Sequence, residues 1–356
     1  MDIPNMFVWG ASVVQGDDGK FHMVFATWES GDSIPPFSDS WVLHSKLAYA
    51  VSDYPDRGFK FKKIILRGRR FAGDSTAWDA QMVTNPHLRK FNDKYYLYFV
   101  GACDPGVQAA GSKGESVNKR NRVQQSQKIG VIEFNSFADL EAGAFKRPDK
   151  PILSPRTRVK PDNIVNPSPD GTEAKPDNII VTNPSVVQCP TDGKYLLYFK
   201  GNIYEPHWKG IHGVAVSDSP MGPFAPSDSV VFEVRTDDGG RASAEDPYVW
   251  YHKGHKRFYA LIKDFTGRIT GAEPGLAILE SVDGMKWTKP ANPYFMKKEL
   301  CLKDGEHIKV NRLERPQLLI DKDGNPLVLY AACSLVEINP RQDGASFNVQ
   351  VPLSVD

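Results

Sequence analysis

Apolar and polar residues along this chain repeat one pattern. A short polar signature ends at proline or a small residue, and an apolar run, a turn and an aromatic-rich run follow. The first copy runs from Trp9-Gly10-Ala11 through a turn at Asp17-Asp18-Gly19 to Phe21-His22-Met23-Val24-Phe25. The second has Thr84-Asn85-Pro86, Asn92-Asp93 and Tyr95-Tyr96-Leu97-Tyr98-Phe99; the third has Thr182-Asn183-Pro184, Asp192-Gly193 and Tyr195-Leu196-Leu197-Tyr198-Phe199. Glu245-Asp246-Pro247 with Phe258-Tyr259-Ala260-Leu261-Ile262 makes the fourth, and Glu314-Arg315-Pro316 with Leu327-Val328-Leu329-Tyr330 the fifth. Two apolar runs joined by Asp-Gly or Asn-Asp read as a β-hairpin. A third strand follows several of them, as at Leu47–Asp53, Ile129–Ile132, Gly213–Asp218 and Leu276–Ser281.

Five hairpins opening on one signature predict an all-β chain, a five-bladed β-propeller forming a single domain over residues 1–356. The blades start near 7, 82, 181, 244 and 313, with inner hairpins at 7–25, 82–99, 181–199, 244–262 and 313–330. Phe347-Asn348-Val349-Gln350-Val351 is expected to close the ring. Two long polar inserts, 104–128 and 146–178, read as surface loops near the functional end; the second doubles Lys160-Pro161-Asp162-Asn163-Ile164 as Lys175-Pro176-Asp177-Asn178-Ile179.

Composition narrows the function. Net charge is +1, with 40% hydrophobic and 24% charged residues, so no global field points to nucleic acid. No apolar run reaches the ~20 residues of a membrane span. Met1-Asp2-Ile3-Pro4 does not open a signal peptide; a chain cut after a leader would be periplasmic or secreted. Cys103, Cys189, Cys301 and Cys333 form no CxxC pair and read mainly as core thiols.

In a propeller the inner strands meet at the channel mouth, so the signatures define a ring. Gly10, Asn85, Asn183, Asp246 and Arg315 stand just before the small residue or proline, preceded by Trp9, Thr84, Thr182, Glu245 and Glu314. An indole to stack on a pyranose, amides and carboxylates for hydroxyls, and a guanidinium for a carboxylate or sulfate make a sugar-binding set. Glu245 and Asp246 are adjacent, so a regular strand turns only one of them to the channel unless the backbone kinks before Pro247.

Ala244-Glu245-Asp246-Pro247-Tyr248-Val249-Trp250, the two Thr-Asn-Pro segments, Glu314-Arg315-Pro316-Gln317-Leu318-Leu319 and Trp9-Gly10-Ala11-Ser12 with Asp18-Gly19-Lys20-Phe21-His22-Met23 together resemble the five-bladed glycoside hydrolases related to families 43 and 117. The resemblance covers roughly residues 7–335. It implies a glycosidase acting on an oligo- or polysaccharide, with a base, a pKa-tuning carboxylate and an acid on different blades. Family 43 is expected to carry its base in a first-blade Asp-Pro, and here Gly10-Ala11 stands there.

The expected replacement base is Asp79 or Glu314, with Glu245 as a general acid raised by burial and by neighbouring carboxylates, and Asp246 beside it as a further catalytic residue. Trp9, Asn85, Asn183, Arg315, His207 and His212 are expected to bind substrate, and insert loops closing the mouth favour exo action. The alternatives are a non-catalytic carbohydrate-binding propeller, for which Gly10 speaks, or a polysaccharide lyase using Arg315 and Lys209 against a uronate. No cofactor or metal is called for. Asp17-Asp18-Gly19 and Asp321-Lys322-Asp323-Gly324-Asn325 suggest calcium but lack EF-hand spacing, and read as hairpin turns. The sequence leaves sugar identity and oligomeric state open.

Overall fold

A computed structural model describes residues 1, 3–31, 37–112, 114–156, 175–204, 208–235, 239–335 and 346–353. His207 lies outside the described residues, as do the side chain of Lys209 and most of the 146–178 insert.

Blade one is β1 (Met6–Gln15), β2 (Phe21–Glu29), β3 (Lys46–Ser52) and β4 (Lys60–Leu66), hydrogen-bonded in chain order. Blade two is β5 (Met82–Phe91), β6 (Lys94–Ala102) and β7 (Lys128–Phe134). Blade three is β8 (Thr182–Gln188), β9 (Tyr195–Tyr204), β10 (Trp208–Ser217) and the short β11 (Ala225–Pro226). Blade four holds β12 (Ala244–His252), β13 (Arg257–Asp264), β14 (Gly275–Ser281) and β15 (Tyr294–Lys297). A separate hairpin, β16 (Glu299–Cys301) and β17 (His307–Lys309), precedes blade five, which is β18 (Arg312–Ile320), β19 (Pro326–Ser334) and β20 (Phe347–Pro352). Short helices α1 (Phe37–His44), α2 (Lys119–Gln124) and α3 (Phe137–Ala142) sit in the connections.

The first strand of each blade is innermost: β1 packs on β5, β5 on β8, β8 on β12, β12 on β18 and β18 on β1. The ring is thereby closed, and the five-bladed propeller read from the repeats is the fold. Both ends of the described chain meet at the seam. The Met1 ammonium donates to Asn348 O at 2.6 Å, Asn348 N donates to Met1 O at 3.0 Å, and Val8 N donates to Ser346 Oγ at 3.0 Å. As the outer strand of blade five, β20 covers the edge of β19.

Blade packing explains why the second strands read as unbroken apolar runs. Successive side chains point to opposite faces of a sheet, and both faces of a blade are buried against neighbours. In β6, Tyr95, Leu97 and Phe99 join the core shared with blade one, while Tyr96 and Tyr98 join the core shared with blade three. In β9, Tyr195, Leu197 and Phe199 face blade two, and Leu196 and Tyr198 face blade four. The buried tyrosines need a partner for the hydroxyl, and three find the same one: a backbone carbonyl in the outer turn of the next blade. Tyr98 donates to Pro220 O at 2.7 Å, Tyr198 to Gly284 O at 2.6 Å and Tyr330 to Pro55 O at 2.6 Å.

Phe99 is fully buried and stacks on Trp78 with centroids 5.7 Å apart. Phe99→Ala is expected to destabilise the chain by about 3–5 kcal/mol, measured as a lower urea midpoint at unchanged m-value.

Candidate active site at the channel mouth

All five inner strands break register at the signature, between Trp9 and Ala11, Thr84 and His87, Thr182 and Ser185, Glu245 and Tyr248, and Glu314 and Gln317. In four of them the residue before proline is left-handed: Asn85 (φ 52°), Asn183 (φ 53°), Asp246 (φ 58°) and Arg315 (φ 56°). Each such residue costs about 1–3 kcal/mol and persists only where its surroundings hold it. Here the bulge turns two successive side chains to one side. Glu245 and Asp246 both line the pocket, as do Glu314 and Arg315, so the kink before Pro247 overrides strand alternation.

A belt of hydrogen bonds links these residues from blade to blade. Asn85 Nδ2 donates to Asn183 Oδ1 at 2.6 Å, and Asn183 Nδ2 donates to Asp246 Oδ1 at 2.6 Å. From blade five, Arg315 donates its backbone N–H to Asp246 Oδ2 at 2.9 Å and its NH1 to Oδ1 at 3.2 Å. In blade one, a Cβ placed on Gly10 would stand 3.1 Å from Cβ and Cγ of Arg315. The Arg315 stem therefore packs closely against the point where a first-blade side chain would begin.

Around the belt runs a set of alternating charges. Lys200 Nζ is 2.9 Å from Glu245 Oε1; Lys263 Nζ is 3.9 Å from Glu245 Oε2 and 2.6 Å from Glu314 Oε1; Arg312 NH1 is 3.6 Å from Glu314 Oε1. Burial pushes the Glu245 carboxyl up, but the Lys200 and Lys263 ammoniums outweigh it and hold it near 2. For Asp246 burial wins over Arg315; the negative charges of Glu245 and Glu314 add to it, and the carboxyl is raised to about 6. This corrects the expectation of Glu245 as the carboxyl raised by burial: two lysines keep it ionised, and its neighbour takes the upward shift.

The pocket, a cavity of about 250 Å³, adds Trp9, Trp28, Phe37, Trp41 and Phe265 as aromatic walls and Gln124 and Gln127 as polar ones. Phe37 on α1 meets Trp9 edge-on at 5.0 Å, and the two glutamines bring the 104–128 insert to the mouth. The channel below is filled by the next residue of each inner strand. Ser12 Oγ donates to Gln317 Oε1 at 3.1 Å, and Val186 N donates to His87 Nε2 at 2.9 Å, leaving His87 Nδ1 as the donor to Gln317 Oε1 at 3.0 Å. Burial lowers His87 to about 3, so it is neutral. Ser185 accepts from Val249 N, and Tyr248 donates to Leu318 O, both at 2.8 Å.

Seven expected site residues thus meet in one pocket: Trp9, Asn85, Asn183, Glu245, Asp246, Glu314 and Arg315. Two do not. Asp79 is fully buried away from it, held by Arg147 (Nε to Oδ2 2.8 Å) and Arg69 (Nε to Oδ1 3.3 Å), so both carboxylate oxygens face guanidinium groups. His212 is buried behind blade three, its ring 5.1 Å from that of Phe232, and burial lowers it to about 3. No tyrosine or histidine lines the pocket among the described residues. Lys200 and Lys263 were absent from the sequence reading. Their signal lay one strand over, since Thr182 pairs with Lys200 and Glu245 with Lys263, where the other blades have Ala26, Val100 and Ala332.

No protein-family model and no curated protein matches the chain. Solved structures match it along nearly its whole length. A family 117 glycoside hydrolase of the marine bacterium Zobellia galactanivorans is 14% identical over 98% of this chain and 85% of its own, with a TM-score of 0.61. An α-L-arabinofuranosidase from Lactobacillus brevis is 12% identical over 98% and 92%, with a TM-score of 0.60. A family 43 enzyme from Xanthomonas citri, complexed with xylotriose, is 14% identical over 99% and 90%, at 0.56. The chain has the propeller fold of these hydrolases.

The raised Asp246 carboxyl makes stability depend on pH. Between its ordinary value of 3.8 and about 6 the native state binds more protons than the unfolded chain, so this group's contribution falls as pH rises through that window. The stability difference between wild type and Asp246→Asn is expected to move against wild type by about 2 kcal/mol from pH 4 to 6.5. Urea titrations at the two pH values check it, and a constant difference would mean that the carboxyl is not raised.

Proposed function

We propose that this chain is a glycoside hydrolase acting on oligo- or polysaccharides from a chain end, with the channel-mouth pocket as its active centre. The observation that carries this reading is the convergence of three carboxyls, Glu245, Asp246 and Glu314, with the Trp9 indole and the Asn85 and Asn183 amides on one pocket at the channel mouth. Within it the lysines hold Glu245 down while burial pushes Asp246 up. Paired carboxyls pushed apart in pKa are what acid–base assignments rest on. Asp246 is the proton donor to the departing glycosidic oxygen, Glu245 is the charge that helps keep that proton on it, and Glu314 on the next blade is the base-side carboxylate. Lys263 orients Glu314 at 2.6 Å.

The shape supports exo action. The plug of Ser12, His87, Ser185, Tyr248 and Gln317 closes the channel below the pocket, and α1 and residues of the 104–128 insert wall it above. About 250 Å³, at the small end of ligand pockets (~300–1,000 Å³), suits a terminal residue. Asn85, Asn183 and Arg315 hold hydroxyls or set the belt, and Trp9 offers the ring face for stacking.

A second reading, a carbohydrate-binding propeller without catalysis, is favoured by the cation beside every pocket carboxylate and by Gly10 in blade one.

Turnover decides between them. Asp246→Asn is expected to lower kcat about 10²–10⁴-fold on unactivated glycosides, with much of the loss recovered on substrates carrying a very good leaving group. Glu245→Gln removes a negative neighbour of Asp246, so the alkaline limb of the pH–rate profile should move to lower pH. An unmoved limb, or an Asp246→Asn enzyme turning over like wild type, rejects these roles. Oligosaccharide bound by wild type with no terminal sugar released supports the binding protein instead.

A further inference from the structure

The pocket holds more cations than its carboxylates use. Lys200 is matched by Glu245, Lys263 by Glu314 and Arg315 by Asp246. Arg312 is the surplus cation: its contact with Glu314 Oε1, at 3.6 Å, shares an oxygen that Lys263 holds at 2.6 Å. Its guanidinium lies over the Phe37 ring at 5.5 Å.

Arg315 is also incompletely used. It is 4% exposed, its NH1 is bound to Asp246, and its buried Nε has no hydrogen-bond partner. A buried guanidinium nitrogen without an acceptor carries a desolvation cost that an incoming anion would remove. The adjoining depression continues the positive wall, with Lys263, Arg312 and Lys298 on its lining; its two carboxylates are Glu314, already paired, and Asp264, whose oxygens accept the backbone N–H groups of Thr266, Gly267, Ile269 and Thr270.

We propose that the sugar taken by this pocket bears an anionic substituent, a carboxylate or a sulfate ester, held by Arg312 and Arg315 beside the aromatic wall of Trp9 and Phe37. This rests on the reading of the pocket as a carbohydrate site. A neutral pentose or hexose offers these guanidinium groups only uncharged hydroxyls and leaves the charge of Arg312 balanced by a shared partner, whereas a planar carboxylate or a sulfate accepts from either guanidinium and balances its charge. The surplus is local, since the whole chain carries only +1, so the preference belongs to the pocket rather than to a general field.

Calorimetric titration of the intact chain with three oligosaccharide sets of matched length tests it: neutral, uronic-acid-containing and sulfated. At low salt at least one anionic set is expected to bind about tenfold tighter than the neutral set, and the advantage should shrink as ionic strength rises. The uronic and sulfated arms tell which anion is taken. Arg312→Gln should narrow the anionic-to-neutral affinity ratio about tenfold, with Arg312→Lys in between. Equal or tighter binding of neutral sugars, or a ratio untouched by Arg312→Gln, overturns the proposal. Anionic sugars bound but not cleaved would reject hydrolysis while this inference stands; neutral sugars cleaved while anionic ones are refused would do the reverse. No sugar bound from any set rejects both.

Discussion

Each inner strand enters its blade through a bulge, and in four of the five the residue at the kink takes positive φ. A regular strand would present one side chain in two to the channel, giving a five-blade ring a single tier of side chains. The bulge adds a second tier. It also consumes free energy, since none of Asn85, Asn183, Asp246 and Arg315 is glycine and left-handed geometry strains all four. Propeller closure supplies the counterweight. The interblade cores and the tyrosine hydroxyls that reach across them fix the strands on both sides of the kink, and the belt from Asn85 to Arg315 ties the four strained residues to one another.

The two tiers divide the electrostatics. In the tier before proline Asn183, Asp246 and Arg315 are buried in mutual hydrogen bonds; in the tier before it Glu245 and Glu314 are partly open to solvent and stand against Lys200 and Lys263. Burial therefore falls mainly on Asp246, and neutralisation mainly on Glu245. Adjacent residues of one chain end with opposite shifts because the kink places them in different surroundings. The register makes this possible, since the lysines stand directly across the strand pair from Thr182 and Glu245.

Much of this was legible beforehand, for a physical reason. A blade buries both faces, so its middle strand must be apolar throughout and aromatic where the wedge is wide, and that composition recurs with each copy. The signature likewise marks the channel mouth whatever the residues in it, which is why Trp9, Asn85, Asn183, Glu245, Asp246, Glu314 and Arg315 could be named together. What failed rested on proximity along the chain rather than on the repeat. Asp79 stands six residues before Asn85, yet its environment is made by Arg69 and by Arg147 from a distant insert. His212 follows blade three's hairpin, but strand alternation sends it into the core rather than the channel. The sign of the Glu245 shift was missed because the lysines sit on the second strand, which the ring of first-strand positions does not include.

Gly10 is best understood together with Arg315. Read alone, the missing first-blade carboxylate looks like a deletion from the ring. In the folded chain the space is occupied: the Arg315 stem runs over Gly10, close enough that any Cβ there would press on it at 3.1 Å, while its guanidinium neutralises Asp246. Positions 10 and 315 are therefore in contact, and a change at either is felt at the other. A side chain at 10 would press the Arg315 stem aside by a few tenths of an ångström, and removing the arginine altogether would leave Asp246 buried without its cation, a change that raises its pKa further and costs stability above it. The cation on blade five packs over the glycine of blade one, and the carboxylates of the pocket stand on blades four and five, where Lys200, Lys263 and Arg315 balance them.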